Sequence, residues 1–382
     1  MQPPSDLTRA NDRAGPRRGK RGQRTGWSTG ACAAAAATAA ARGLVTGVVP
    51  SQIEILLPQG RRPVFSVAAA TLNAGVAQAV VVKDAGDDPD VTHGARIAAQ
   101  VRTAPHAAGM IRLLGGPGIG RVTRPGLGLR VGEAAINPGP HAYITANLRA
   151  AAAELLIRAG LDVTLSIADG ERLAQRTLNA RLGIVGGLSI LGTTGVVYPY
   201  STASFKATVR QGVQVALAQG ERTLCFSTGR RTERYCMETF PALPEVCFVQ
   251  MGDFVGTALD AVREAGITQV LVGGMSGKLA KMAQGLRVTH ARKAPVDMAH
   301  LAELAARCGA TPELCRRIAE GATARWVAEL TTEAGLSACF HRALVEAAAR
   351  ALAAGLAAGT RLEVIAFAPD GQLLARTERL CD

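Results

Sequence analysis

Three stretches of the 382-residue chain decide its fold: Thr223-Leu224-Cys225-Phe226-Ser227-Thr228-Gly229, Val246-Cys247-Phe248-Val249-Gln250-Met251-Gly252-Asp253, and Gln269-Val270-Leu271-Val272-Gly273-Gly274-Met275-Ser276. Each is a short apolar run that stops at glycine and small polar residues, with helix-forming sequence after it. Strands that alternate with helices through such loops predict a mainly parallel sheet with crossover helices. The expected class is α/β, with a Rossmann-like domain over 203–382. In an open parallel sheet, ligands bind beyond the carboxyl ends of the strands. Thr228, Gly229, Gly252, Asp253, Gly273, Gly274, Met275 and Ser276 are therefore the candidate lining of a cofactor cleft. Helix capping accounts for Asp253 and Ser276 equally well. No loop reads G-x-G-x-x-G, and around Gly277-Lys278 a phosphate loop fails because Val272 and Leu279 occupy its defining positions.

Upstream the pattern changes to an α+β domain over 24–202 with Gly/Pro-rich loops, read as the substrate side. Ser28 and Thr29 precede an alanine run closed by Arg42 and Gly43, which predicts a capped helix. Gln52–Leu57 and Arg62–Val67 flank a hairpin signal, and Ala77–Lys83 reads as a third strand. Asp90 or Thr92 is the expected cap of a helix running to about Arg102. A loop-rich zone, a helix from Pro140 to Ala159 and strands at Asp162–Ile167 and Leu182–Leu191 complete this domain. Beyond the parallel sheet, helices are expected over Pro295–Cys308, Pro312–Thr331 and Ser337–Ala357, then a hairpin on Pro369-Asp370-Gly371. Residues 1–23 read as a disordered basic tail.

Composition narrows the function. Apolar residues make up 48% of the chain and aromatics only 4%, so small residues must pack the interior. The net charge is +13, of which the seven basic and two acidic side chains of residues 1–24 supply +5, leaving +8. That surplus favours an anionic small ligand. Nucleic acid is not expected, because stacking aromatics and a dense Lys/Arg helix face are both missing. No run reaches the length of a membrane span, and the expected location is cytoplasmic. Eight cysteines lack C-x-x-C or metal-finger spacing and read as buried thiols. Homo-oligomerisation stays open.

Two further clusters carry candidate chemistry. Lys83-Asp84-Ala85-Gly86-Asp87-Asp88-Pro89-Asp90 with His93 gathers carboxylates and an imidazole after a strand. The run does not follow the calcium-loop frame, so acid/base work by Asp84, Asp87 or His93 competes with plain turn chemistry. Arg24, Thr25, Ser28 and Thr29 stand at the start of the alanine-rich helix, where unpaired N–H groups favour an anion. Arg230, Arg231 and Lys278 are further cationic candidates for substrate contact.

Taken in order, these segments resemble the CbiD family. The resemblance runs through Arg24-Thr25-Gly26-Trp27-Ser28-Thr29-Gly30, the Lys83–Gly94 run, Gly183-Ile184-Val185-Gly186-Gly187-Leu188-Ser189-Ile190-Leu191-Gly192-Thr193-Thr194-Gly195 and Gly273–Lys281, and covers the chain from about residue 24. It implies transfer of a methyl group from S-adenosylmethionine to carbon 1 of cobalt-precorrin-5B, giving cobalt-precorrin-6A on the anaerobic route to cobalamin. Cobalt would arrive with the tetrapyrrole, so no protein metal site is implied. The donor is expected in the second domain and the macrocycle between the two. A nucleotide-binding phosphotransferase and a non-catalytic corrinoid carrier are the competing readings.

Overall fold

Alanine is the strongest helix former and the smallest side chain that is one. The run from Ala31 to Ala41 forms most of helix α1 (Thr29–Thr46), in which 14 residues are buried, and Gly47 ends it in the left-handed region at φ 79°. The structure is a computed structural model describing residues 23–290 and 295–382. The expected tail, save Gln23, lies outside the described residues. Contacts divide the chain into two units, one ending at Ser201 and one beginning at Thr202.

In the first unit, α1 packs against a five-stranded sheet and against α2 (Pro138–Ala151). The strands are β1 (Ala69–Asn73), β2 (Val76–Val82), β3 (Arg96–Ala104), β4 (Ile111–Gly115) and β5 (Gly160–Ile167), in the order β1-β2-β3-β5-β4. All pairings are antiparallel except the parallel β4–β5 pair. Ala77, Ala79 and Val81, with Ile97, Ala99 and Val101, are buried in the same core cluster as the α1 alanines. The alternation is that of strands with one covered face.

One expectation fails here. The helix predicted from Asp90 or Thr92 to about Arg102 is instead β3. Its alanines raise helix propensity, but Ala99, the buried one, shares the core cluster of α1, where a larger side chain would hold the layers apart. Tertiary packing overrides propensity. The expected strand at Leu182–Leu191 reduces to Ile184–Val185, paired with Arg121–Val122.

In the second unit the strands are β6 (Thr223–Ser227), β7 (Phe248–Gln250), β8 (Gln269–Gly274), β9 (Arg361–Phe367) and β10 (Leu373–Leu380). Their order is β7-β6-β8-β9-β10, parallel as far as β9 and antiparallel at the β9–β10 edge. This mixed sheet has the 2-1-3-4-5 strand order, which places the topological switch between β6 and β8. The helices are α3 (Thr202–Ala218), α4 (Arg230–Thr239), α5 (Val255–Ala265), α6 (Ser276–Ala283), α7 (Met298–Arg307), α8 (Pro312–Ala319), α9 (Ala324–Glu333) and α10 (Ser337–Ala353). Cys225, Phe248, Leu271, Ile365 and Phe367 point to the α4 face, where Tyr235 and Cys236 meet them. The single helix expected over Pro312–Thr331 is broken into α8 and α9. Gly321 lies at the break because a Cβ there would come within 2.3 Å of the Trp326 ring. Among the described residues no helix is long and apolar enough to cross a membrane.

The cysteines are divided. Cys32, Cys225, Cys236, Cys247 and Cys381 are buried free thiols, and Cys315 is half-buried. Cys308 and Cys339 correct the expectation of thiols throughout: they form a disulfide across 31 residues, joining the end of α7 to the first turn of α10. Helix packing brings them together, which no local spacing could reveal.

Two predictions follow from these contacts. Ala35 has no exposed surface, so Ala35→Leu should destabilise the protein in urea unfolding by about 1–3 kcal/mol, whereas Ala at the exposed Arg42 should leave stability nearly unchanged. Replacing both Cys308 and Cys339 by serine should cost roughly 3–4 kcal/mol through loop entropy, and thiol titration of the unfolded native chain should find six free groups.

Candidate functional site

The first cluster forms where the short strand Gly26–Trp27 enters the first unit and pairs with Val196–Val197. Just before it, the Arg24 guanidinium grips the Asp84 carboxylate: Nη2 donates to Oδ1 at 2.9 Å and Nη1 to Oδ2. The Arg24 backbone N–H donates to Asp87 Oδ2 at 2.6 Å, and the Asp87 N–H returns a bond to the Arg24 carbonyl. Gly86, at φ 67°, lets the two segments touch, since a Cβ there would lie 2.3 Å from the Arg24 oxygen. Hydrogen bonding to Arg24 holds the Asp84 carboxyl below its ordinary pKa, outweighing burial. His93 Nδ1 accepts from the Ala85 N–H at 3.2 Å. The neutral ring therefore carries its proton on Nε2 and presents a donor.

Arg24, Asp84, Asp87 and His93 are thus brought together, but with altered roles. Asp84 and Asp87 clamp the entering chain, and a carboxyl with a depressed pKa makes a weak base. Beside them lies an ion pair the sequence did not disclose. The Lys83 side chain is entirely buried and its Nζ donates to Asp90 Oδ2 at 2.7 Å, while Thr92 donates twice to Oδ1. Burial raises the Asp90 pKa, but Lys83 and Thr92 outweigh it and hold the carboxyl below its usual range.

The expected anion site at the start of α1 is corrected. Thr25, Ser28 and Thr29 are buried. Ser28 Oγ accepts from the Ala31 N–H, and the Gly30 N–H donates to the Leu191 carbonyl at 3.0 Å. Thr29 Oγ1 accepts from the Leu191 N–H and faces the Ser189 carbonyl at 3.2 Å. The glycine-rich string near residue 190 therefore satisfies this helix end, from a distance of 160 residues in sequence.

In the second unit, the switch between β6 and β8 sets Ser227 opposite Gly273 on one side and Gln250 on the other. Ser227 is 1% exposed, and its Oγ has no hydrogen-bond partner among the described residues. Such a group costs about 1–3 kcal/mol unless something completes it. Thr228 and Thr232 share a hydroxyl–hydroxyl bond of 3.1 Å. A Cβ on Gly229 would meet nothing within 4 Å, so the chain is open there. Arg230 and Arg231 follow in the first turn of α4, exposed and outside every ion pair among the described residues. Gln250 Nε2 donates to the buried Glu233 carboxylate at 2.6 Å.

The other loop glycines answer a packing need, contrary to the expected ligand approach. A Cβ on Gly273 would lie 2.3 Å from Cys236 Sγ, one on Gly274 3.1 Å from Leu279, and one on Gly252 2.8 Å from the Phe205 ring. Met275 packs against the apolar cluster under α4. Asp253 and Lys278, expected to serve cofactor and substrate separately, form one ion pair, and Thr289 Oγ1 adds a 3.3 Å bond to the same carboxylate oxygen. Ser276 Oγ lies 3.2 Å from Nε2 of His341, a residue that no sequence motif marks. A hollow of about 400 Å³ lined by Phe240, Pro241 and Leu243 opens near Thr223 and Gln269, at the wrong strand ends for this site.

Comparison with known proteins gives a consistent result. Residues 16–199 match the family model described as CbiD, and residues 288–378 the one described as CbiD, C-terminal domain. The chain is 50% identical over 327 residues to the cobalt-precorrin-5B C(1)-methyltransferase of Polaromonas naphthalenivorans, covering 86% of this chain and 90% of that one. The enzyme of the same name from Methylococcus capsulatus is 53% identical over 296 residues, 78% of each chain. A crystal structure of the cobalamin biosynthesis protein cbiD from Archaeoglobus fulgidus matches with a TM-score of 0.38 and 28% identity, over 69% of this chain and 81% of that one.

The Lys83–Asp90 pair yields a stability test. Asp90→Asn leaves a buried ammonium without its partner and should cost about 3–5 kcal/mol, whereas Lys83→Met combined with Asp90→Asn should recover most of the loss. Because the folded Asp90 pKa is depressed, the pair's contribution is present above the unfolded carboxyl pKa near 3.8 and is lost as pH falls through the lower folded value. Unfolding titrations between neutral and acid pH will read this as a shallower acid loss in the double variant.

Proposed function

The chain belongs to the CbiD family, and on that premise we propose that it is the enzyme that methylates carbon 1 of cobalt-precorrin-5B in cobalamin biosynthesis, with S-adenosylmethionine as donor. The observation that carries the reading is identity of about half over most of the chain to enzymes of that name. The substrate is a tetrapyrrole that brings its own cobalt.

The residues at the β6–β8 switch fit the donor. Ser227 offers a buried hydroxyl lacking a partner among the described residues, and Gly229 leaves open backbone near it. A buried polar group of this kind is completed by a ligand's carboxylate or hydroxyl. The donor supplies the methyl group on an electrophilic sulfonium. Ser227, Gly229 and Ser276 would hold and orient it, with Thr228 bracing the turn through Thr232. Arg230 and Arg231, outside every ion pair among the described residues, would attract the carboxylates that fringe the tetrapyrrole. Lys278 is neutralised by Asp253 and is left out of that role.

The chain's contribution is positioning and exclusion of water more than proton transfer. Asp84 and Asp87 hold Arg24, and His93 presents an N–H, so this cluster orients an anionic group better than it removes a proton. The ring carbon of the substrate is the nucleophile, and none is required from the protein.

Incubation with cobalt-precorrin-5B and methyl-labelled S-adenosylmethionine should place the label on carbon 1 by NMR. Unchanged substrate mass would indicate a carrier, and turnover of ATP without the sulfonium donor a phosphotransferase. The double change Arg230→Ala, Arg231→Ala should raise KM for the tetrapyrrole by about tenfold, roughly 1.4 kcal/mol, while KM for S-adenosylmethionine stays near its original value.

A further inference from the structure

His341 is a buried titratable side chain packed behind the switch of the parallel sheet. It lies in α10 with 1% of its surface exposed. Its Nδ1 is 2.8 Å from the Ser337 carbonyl oxygen and 3.3 Å from Ser337 Oγ, and its Nε2 is 3.2 Å from Ser276 Oγ. A carbonyl oxygen can only accept, so the close contact puts the ring proton on Nδ1. Burial lowers the His341 pKa, outweighing the Ser337 carbonyl, and favours the neutral ring. Neutral and protonated on Nδ1, the ring offers a lone pair at Nε2, and the Ser276 hydroxyl must donate to it. The oxygen of Ser276 is then left with lone pairs only.

The location gives that polarity a use. Ser276 is the first residue of α6, directly after β8 at the switch of the parallel sheet. A serine there can turn its hydroxyl to the backbone of its own helix, but this one is turned toward α10. Ser276 keeps 8% of its surface exposed. A Cβ on the adjacent Gly277 would meet nothing within 4 Å, so the turn is open beside it.

We propose that His341 is a positioning residue that fixes the Ser276 hydroxyl as an acceptor toward the methyl donor, so that this turn selects a ligand group bearing a hydrogen-bond donor, an ammonium or a ribose hydroxyl. The proposal rests on the reading of the second unit as the S-adenosylmethionine site and adds the chemistry by which one end of that ligand is told from the other. A carboxylate placed against Ser276 Oγ would set lone pair against lone pair.

The test uses the full-length chain and equilibrium binding of S-adenosylmethionine without tetrapyrrole. Ser276→Ala and His341→Leu should each weaken binding by about tenfold, and the two together by little more than either alone, since residues in one hydrogen-bonded unit are not additive. His341→Gln should recover most of the affinity, because its side-chain carbonyl can accept the Ser276 proton. Rescue by glutamine separates positioning from simple packing, which leucine satisfies. An analogue lacking the amino group and one lacking the ribose hydroxyls complete the set: the one whose wild-type affinity is already reduced, and which Ser276→Ala reduces no further, identifies the group that Ser276 reads. Unchanged binding by a folded Ser276→Ala, or by a folded His341→Leu, overturns the proposal while leaving the donor-site reading intact. Absence of S-adenosylmethionine binding by the unaltered chain overturns both.

Discussion

Small side chains set the layer distances on which both units depend. In the first unit, α1 approaches β2 and β3 closely because alanine faces alanine across the contact, Ala35 and its neighbours on the helix and Ala77, Ala79 and Ala99 on the strands. In the second, Cys236 of α4 occupies the space a Cβ on Gly273 would need. Interiors pack to near-crystalline density, so a chain with 4% aromatic residues reaches that density by drawing backbones together. The switch between β6 and β8, where the candidate site lies, inherits this close approach.

That constraint also decides how much of the fold could be read from the sequence. The strand, loop and helix units between Thr223 and Ser276 were legible because each signal is local: an apolar run, then glycine, then helix formers. The same reasoning read a helix up to about Arg102 where the chain forms β3, in which Ala99 serves a close helix contact and the neighbouring alanines imitate helix propensity. Gly252, Gly273 and Gly274 were legible as special positions, but not as packing glycines, because Phe205, Leu279 and Cys236 enter their space only in the folded chain. The start of α1 looked open for a matching reason: its partners, Ser189 and Leu191, are remote in sequence.

Charge was the least legible property. The sequence counts Arg24, Lys278, Asp84 and Asp253 as available, and the fold pairs the first with the third and the second with the fourth. Formation of internal pairs removes candidates in both signs at once, so a net surplus says how much cationic charge is left over and nothing about where. Arg230 and Arg231 are among the cations left outside such pairs, and they stand together in the first turn of α4 with no carboxylate in ion-pair reach among the described residues. An exposed cation without a partner is commonplace, but two in succession beside an incomplete buried hydroxyl are the feature an anionic substrate would use.

The two serines at the switch differ in a way that the proposed methyl donor could use. Ser227 is buried with no partner among the described residues, so its hydroxyl proton is available to a carboxylate. Ser276 has its proton directed to His341, so its oxygen can only accept. A ligand that carries both a carboxylate and a hydrogen-bond donor needs one of each. Were both hydroxyls free to rotate, either could serve either end, and the sequence, which shows only two serines after two strands, cannot distinguish those cases. A buried imidazole whose tautomer is fixed by the Ser337 carbonyl removes the ambiguity. Under the proposal, the orientation of the ligand would be referred to the Ser337 backbone oxygen in α10, which no sequence motif marks, so His341 could be found only in the folded chain.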